Sequence, residues 1–167
     1  MSILDKILSP SDCAECRYCC SLRRSSLWET PCFDNQTVSR LLRSHPNAKF
    51  RPVDQHTQTI DLISRYKTDN PDEEVLCWFN EGKGCILGDD KPLDCDAWPL
   101  RLMRKDGQLV IALSPGCKVI SAKPLTEVMQ VIDDELCRKM LDYAEKFPSY
   151  VKNYIEGYRV LKILTGK

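Results

Sequence analysis

Four thiols crowd into the eight residues Cys13-Ala14-Glu15-Cys16-Arg17-Tyr18-Cys19-Cys20. Thiols spaced this closely can hold a soft metal ion as thiolates, or, as with Cys19 and Cys20, react with oxidants and resolve a sulfenic acid. If the segment is helical, positions 13, 16 and 20 share one face through steps of three and four. Ser11 and Asp12 just upstream are natural caps, so the helix is expected to begin there and aim its positive end at the sulfurs, favouring the thiolate form. A buried stripe has no reason to use only cysteine where Leu or Val would serve. Disulfides fit badly, because adjacent Cys19 and Cys20 would need partners in different directions.

A second group, Cys77, Cys85, Cys95 and Cys117, lies in or beside the stretch 75–116, where Gly82, Gly84, Gly88, Pro92 and Pro99 let the backbone bend toward a common point. Together the groups offer eight thiols, enough for two four-coordinate sites, with Cys19 and Cys20 facing neighbouring sites. Tetrahedral thiolate coordination suits zinc and iron–sulfur clusters alike, so the expected cofactor is an iron–sulfur cluster or zinc, and ligand count does not choose between them. There is no ferredoxin-type run ending in Cys-Pro, and the close pair Cys19-Cys20 differs from the paired Cys-x-x-Cys of zinc ribbons.

These residues resemble the YkgJ-like cysteine-cluster family, the zinc- or iron-chelating CxxCxxCC domains. The first motif stands as Cys13 to Cys20. The second block stands as Cys77-Trp78-Phe79, Cys85-Ile86-Leu87, Lys91-Pro92-Leu93-Asp94-Cys95 and Trp98-Pro99, with Cys117 as the later single cysteine. The resemblance covers roughly residues 11 to 120 and implies a metal-ligand role for Cys13, Cys16, Cys19, Cys20, Cys77, Cys85, Cys95 and Cys117. Lys91 stands where the family usually has Arg, which keeps the positive charge but loses the planar fork. An iron–sulfur identity would add a redox role. The alternative is a structural zinc-type module that displays a surface to a protein partner, or a metal carrier without catalysis. No reaction is legible: the chain has no Gly-rich nucleotide loop, since Gly82-Lys83-Gly84 is too short.

Cys32 and Cys137 fall outside the matched pattern. Cys137 lies beside the apolar face of an expected helix and is read as buried, and Cys32 is read as structural rather than as a spare ligand. His45 and His56, the only histidines, have no motif partner. Asp89, Asp90, Asp94 and Asp96 around Cys95 read as solvated loop charges. Arg17, Arg23 and Arg24 would offset the negative charge of a thiolate-bound centre.

These residues must be positioned by short elements. A capped helix follows Asp34-Asn35-Gln36-Thr37 and ends near His45-Pro46. Residues 50–66 suggest a strand pair broken at Asp54-Gln55-His56, and a hairpin turns at Lys105-Asp106-Gly107. Beyond Pro124, Leu125, Val128, Met129, Ile132, Leu136, Met140 and Tyr143 recur at helical steps. A second helix is expected over roughly residues 150 to 164, with Tyr150, Tyr154 and Tyr158 packed along it. The expected class is α+β: a small, irregular, cysteine-rich metal-binding domain with short strands and two C-terminal helices. Its cysteine-cluster region spans about 11–120 and its helical region about 124–165 of a single domain, 1–167.

Composition narrows the partners. Lys plus Arg and Asp plus Glu each number 24 among the 167 residues and cancel, and no basic stretch provides a nucleic-acid footprint. No apolar run reaches the ~20 residues of a membrane span, and the first eight residues carry Asp5 and Lys6 with no secretory cleavage pattern after them. The expectation is therefore a cytoplasmic protein with a metal ion or cluster as partner and room for a protein partner. In that reducing compartment its ten cysteines serve as thiols rather than disulfides.

Overall fold

The computed structural model describes residues 3–82 and 84–164, apart from the side chains of Pro10, Cys13 and Ala14. Helices and strands are both present in short pieces, so the class is α+β. The chain forms two compact units, one spanning Pro10–Pro92 and the other built from the stretches before Pro10 and after Pro92.

The Pro10–Pro92 unit contains α1 (Pro10–Cys16), β1 (Ser21–Arg23), β2 (Cys32–Asp34), α2 (Asn35–Ser44), β3 (Phe50–Pro52), β4 (Thr57–Ile60) and β5 (Glu74–Leu76). The first helix differs from expectation at both ends. It begins at Pro10, where a fixed φ and a missing N–H cost nothing, so Ser11 and Asp12 lie inside the first turn rather than capping it. It stops at Cys16 because Arg17 takes a left-handed conformation (φ 53°), and a 3-10 turn, Tyr18–Cys20, follows. The helix therefore ends after position 16, and the helical spacing does not carry position 20 onto a face with positions 13 and 16.

The same unit carries two small antiparallel sheets, β1–β5 and β2–β4–β3. The strand pair foreseen over 50–66 is β3–β4. Its tip is closed by Asp54 Oδ1, which accepts from the amides of His56 (2.7 Å) and Thr57 (2.8 Å). Helix α2 is capped by Asp34, whose carboxylate accepts from Thr37 N (2.9 Å) and Thr37 Oγ1 (2.7 Å). Asp34→Ala should cost about 1 kcal/mol, read as a lower urea midpoint at unchanged slope. The core gathers Phe33, Val38, Leu41, Ile60, Leu62 and Phe79, with Phe50 set edge-on to Phe33 at 5.3 Å. Cys32, opposite Thr59 in β2, is buried.

The other unit contains α3 (Leu93–Asp96), β6 (Leu100–Lys105), β7 (Gln108–Leu113), α4 (Lys118–Ser121), α5 (Leu125–Val131), α6 (Cys137–Lys146), β8 (Lys152–Asn153) and β9 (Arg159–Leu164). Strand order is β8–β6–β7–β9. The β6–β7 hairpin turns through Asp106 (φ 49°) and Gly107 (φ 80°), the two left-handed positions that match strand twist. Helices α5 and α6 are joined by a π-helical turn, Ile132–Leu136, and together give the amphipathic helix expected after Pro124. Val128, Val131, Ile132, Leu136 and Met140 are buried on it.

The second expected helix is not formed. Residues 152–164 are strand, turn and strand: β8 runs parallel to β6, and β9 lies antiparallel to β7 with a bulge between Ile111 and Ala112. Gly157 (φ 100°) and the hydrogen bond from Tyr154 OH to Tyr158 O (2.8 Å) shape the turn that four-residue tyrosine spacing had suggested was helical. Val160, Leu161, Ile163 and Leu164 suit either element, and the open edge of β7 decides for strand. Tyr150 and Tyr158 are buried, so packing does account for two of the three tyrosines.

Asp94 also departs from expectation. It is not a solvated loop charge: its Oδ1 accepts from Arg101 Nη1 at 2.9 Å, and both residues are 4 % exposed. Among the described residues, no helix is long and apolar enough to cross a membrane.

Candidate metal centre

Three of the expected ligands are brought near one another within the Pro10–Pro92 unit by backbone pairing. In the β1–β5 ribbon Ser21 stands opposite Leu76. One step further, Cys77 N donates to Cys20 O at 2.7 Å, which sets Cys20 across from Cys77. Cys77 begins a turn in which Phe79 N points at Cys77 Sγ (3.5 Å) and Asn80 N donates to Cys77 O (3.1 Å). The chain then doubles back: Asn80 bridges to Cys85, Ile86 N donates to Phe79 O (2.9 Å), and the Leu87 amide serves the Cys85 sulfur. Cys77-Trp78-Phe79 and Cys85-Ile86-Leu87 are thus two copies of one device, a thiol that receives the amide two residues ahead. Both thiols pack on the Phe33–Phe79 core.

Cys19 Sγ lies 3.7 Å from Cys20 Sγ. That contact, aided by the Asn80 side-chain amide and the Lys91 charge, brings the Cys20 thiol down to about 7 against the opposing effect of burial. Burial pushes the Cys77 thiol up to about 12, and the nearby Cys20 and Cys85 sulfurs add to this while the Phe79 amide and Arg65 oppose it. Cys85 is raised as well, by burial first and then by Cys20, with the Leu87 amide and Lys91 pulling the other way. The three sulfurs sense one another. Without a cation the cluster favours one thiolate and resists a second, and a bound cation reverses that balance.

The pH dependence of the reduced, metal-free protein follows. Cys20 ionises near 7 when folded and near the ordinary 9.0 when unfolded, so its contribution to stability grows as pH rises from 7 to 9 and is lost as pH falls back through 7. Cys77 and Cys85 stay protonated above 9 while the unfolded chain ionises, so stability falls from pH 9 toward 12. Urea midpoints measured across pH 6–11 should therefore pass through a maximum near 9.

The remaining expected ligands are placed differently. The side chain of Cys13 lies outside the described residues. Cys16 is exposed and lines an open cleft of about 400 Å³ with Tyr18, Ser21, Arg23 and Glu74. Cys95 sits half-buried in α3, and Cys117 is buried at the start of α4, both in the other unit. Cys137, expected to be buried, is half-buried at the start of α6. Among the described residues, no group of three or more His, Cys, Asp or Glu side chains is arranged to hold a metal ion.

The positive charges near the thiols are not all those the sequence suggested. Arg23 pairs with Glu74 (2.8 Å), and Arg24 pairs with Asp69 (2.9 Å) and covers the Tyr66 ring, so both are engaged by other partners. Lys91 acts on Cys20 and Cys85, and Arg65 acts on Cys77. Asn80 was not anticipated at all. It is 6 % exposed, its Oδ1 accepts from Gly82 N (2.8 Å), and its Nδ2 is buried with no hydrogen-bond partner. An Asn followed two residues later by Gly is the only sequence signal of that turn. The donor set fits a thiophilic ion in kind: sulfur atoms, amides turned toward sulfur, two nearby cations and an orphaned donor. No protein-family model, curated protein or solved structure matches the chain.

Proposed function

We propose that the chain binds a thiophilic metal, as zinc or as an iron–sulfur centre, with Cys20, Cys77 and Cys85 as the nucleus of the ligand set. One observation carries this reading: Cys20 sits across the ribbon from Cys77, and the Cys20, Cys77 and Cys85 sulfurs are close enough to perturb one another. Buried thiols that oppose each other's ionisation stay protonated on their own, and a bound cation would let them ionise together as ligands. Cys13, Cys16 and Cys19 supply the thiols from which a further ligand is drawn, and the ligand role of Cys95 and Cys117 rests on the YkgJ-like resemblance alone. Bound zinc would neutralise the thiolates and fasten the ribbon to the Cys85 turn, and an iron–sulfur centre would add a one-electron couple. A reducing cytoplasm is the compartment in which such thiols persist.

Anaerobic, reduced preparation followed by zinc, iron and acid-labile sulfide analysis tests the proposal. Stoichiometric zinc, or iron with matching sulfide, is the expected result, with a marked loss in Cys77→Ser. Protein that holds neither metal, and takes up neither on reconstitution, would overturn it. A redox titration then separates the two forms, since a redox-silent zinc protein is a structural interaction module or metal carrier rather than an electron carrier.

A further inference from the structure

We propose that Cys20 is a site of reversible oxidation by peroxide, with Cys77 as the thiol that closes a disulfide and the Asn80 side-chain amide as the donor that receives the intermediate oxygen. The inference goes beyond metal binding and does not require it.

The partner is set by backbone geometry. Cys20 and Cys77 face each other across the antiparallel ribbon, joined by the Cys77 N to Cys20 O hydrogen bond at 2.7 Å. Opposite residues at such a position have Cα atoms about 5.5 Å apart, inside the roughly 4.4–6.8 Å that a disulfide spans. Cys19 has the nearer sulfur, at 3.7 Å. Its Cα, however, is about 3.8 Å from that of Cys20 across a trans peptide, too short for an ordinary disulfide. Cys85 is opposite Asn80, not opposite Cys20.

The second observation is the orphaned donor. The hydrogen bond from Gly82 N to Asn80 Oδ1 fixes which end of the amide is which. It leaves Nδ2 buried, with no hydrogen-bond partner, beside the Cys20 sulfur. A buried N–H lacking an acceptor is unfavourable. Oxidation of Cys20 adds an oxygen acceptor at that place.

The chemistry balances. The Cys20 thiolate attacks one peroxide oxygen, the O–O bond breaks, and hydroxide leaves to take a proton as water, giving Cys20 sulfenic acid. The Cys77 sulfur then attacks the Cys20 sulfur, the S–O bond breaks, and a second water departs with the Cys77 proton. Two thiols are oxidised by two electrons to one disulfide, and one hydrogen peroxide is reduced to two waters.

The test treats the full chain, reduced and freed of metal by chelation, with a small molar excess of hydrogen peroxide. Remaining thiols are alkylated and the digest is mapped by mass spectrometry. The expected result is a Cys20–Cys77 cross-linked peptide that a dithiol reductant removes. Cys77→Ser should instead accumulate Cys20 sulfenic acid that dimedone traps, and Asn80→Ala should slow Cys20 oxidation about fivefold, the equivalent of one hydrogen bond. Wild-type Cys20 that stays a thiol while other cysteines oxidise, or that pairs with Cys19 or Cys85, overturns the proposal. An unchanged rate in Asn80→Ala removes the role of the amide. A preparation that binds neither zinc nor iron yet forms the Cys20–Cys77 disulfide defeats the metal reading and supports this one.

Discussion

Supplying zinc to the reduced, metal-free protein under anaerobic conditions should raise its unfolding free energy by about 4 kcal/mol once free metal stands 1,000-fold above Kd. The gain is expected because a ligand that binds only the folded state stabilises by mass action, and these thiols converge only when folded. The Pro10–Pro92 unit should respond most, since the two thiol turns Cys77-Trp78-Phe79 and Cys85-Ile86-Leu87 and the Cys20 end of the β1–β5 ribbon all belong to it. Its strands β1, β2, β3 and β5 are three residues each, and ribbons this short add little stability of their own. Cys77→Ser should remove most of the gain while leaving the metal-free stability within about 1 kcal/mol, because Ser keeps the shape of a partly buried turn residue. Denaturation curves with and without metal decide the matter. Identical midpoints in the two conditions would show that metal contributes nothing to folding.

Asp94→Ala should destabilise the other unit by about 3–5 kcal/mol. The cause is the guanidinium: Arg101 is 4 % exposed in β6, and truncating Asp94 removes a carboxylate that balances its charge away from water. Replacing both members together, Asp94→Leu with Arg101→Met, should recover much of the loss, since an apolar pair of similar volume escapes the desolvation penalty. Thermal unfolding of the two single variants and the double variant gives the coupling directly. A double variant as unstable as the sum of the singles would count against a buried, paired charge at this position.

Local signals were legible wherever a residue's own chemistry settles the conformation. Asp34 announces α2 because its carboxylate reaches the Thr37 amide, and Asp106-Gly107 announces the β6–β7 turn because both positions need positive φ. The apolar recurrence from Leu125 to Met140 gave the long helix correctly, although the π turn at Ile132–Leu136 left no trace in its spacing. Reading failed where an outside surface chose. Residues 159–164 become β9 because β7 offers an open edge, and a segment of Val, Leu and Ile accepts that template as readily as a helix. Asp94 looked like one of four loop carboxylates until Arg101, seven residues away, proved to be buried beside it.

The candidate site divides in the same way. Its ingredients, ten cysteines in two groups with Lys91 nearby, are a property of the amino-acid sequence, because residue type and density alone decide that the chemistry is that of sulfur. Which sulfurs meet was decided by tertiary structure. Arg17 breaks the helix that would have aligned Cys13, Cys16 and Cys20, and pairing of β1 with β5 instead brings Cys20 to Cys77 across more than fifty residues of chain. Asn80 becomes a buried donor only because the chain doubles back on itself there. Periodicity reports neighbours along a helix or strand, whereas these contacts depend on hydrogen bonds between distant segments, whose register is fixed only when the whole unit packs.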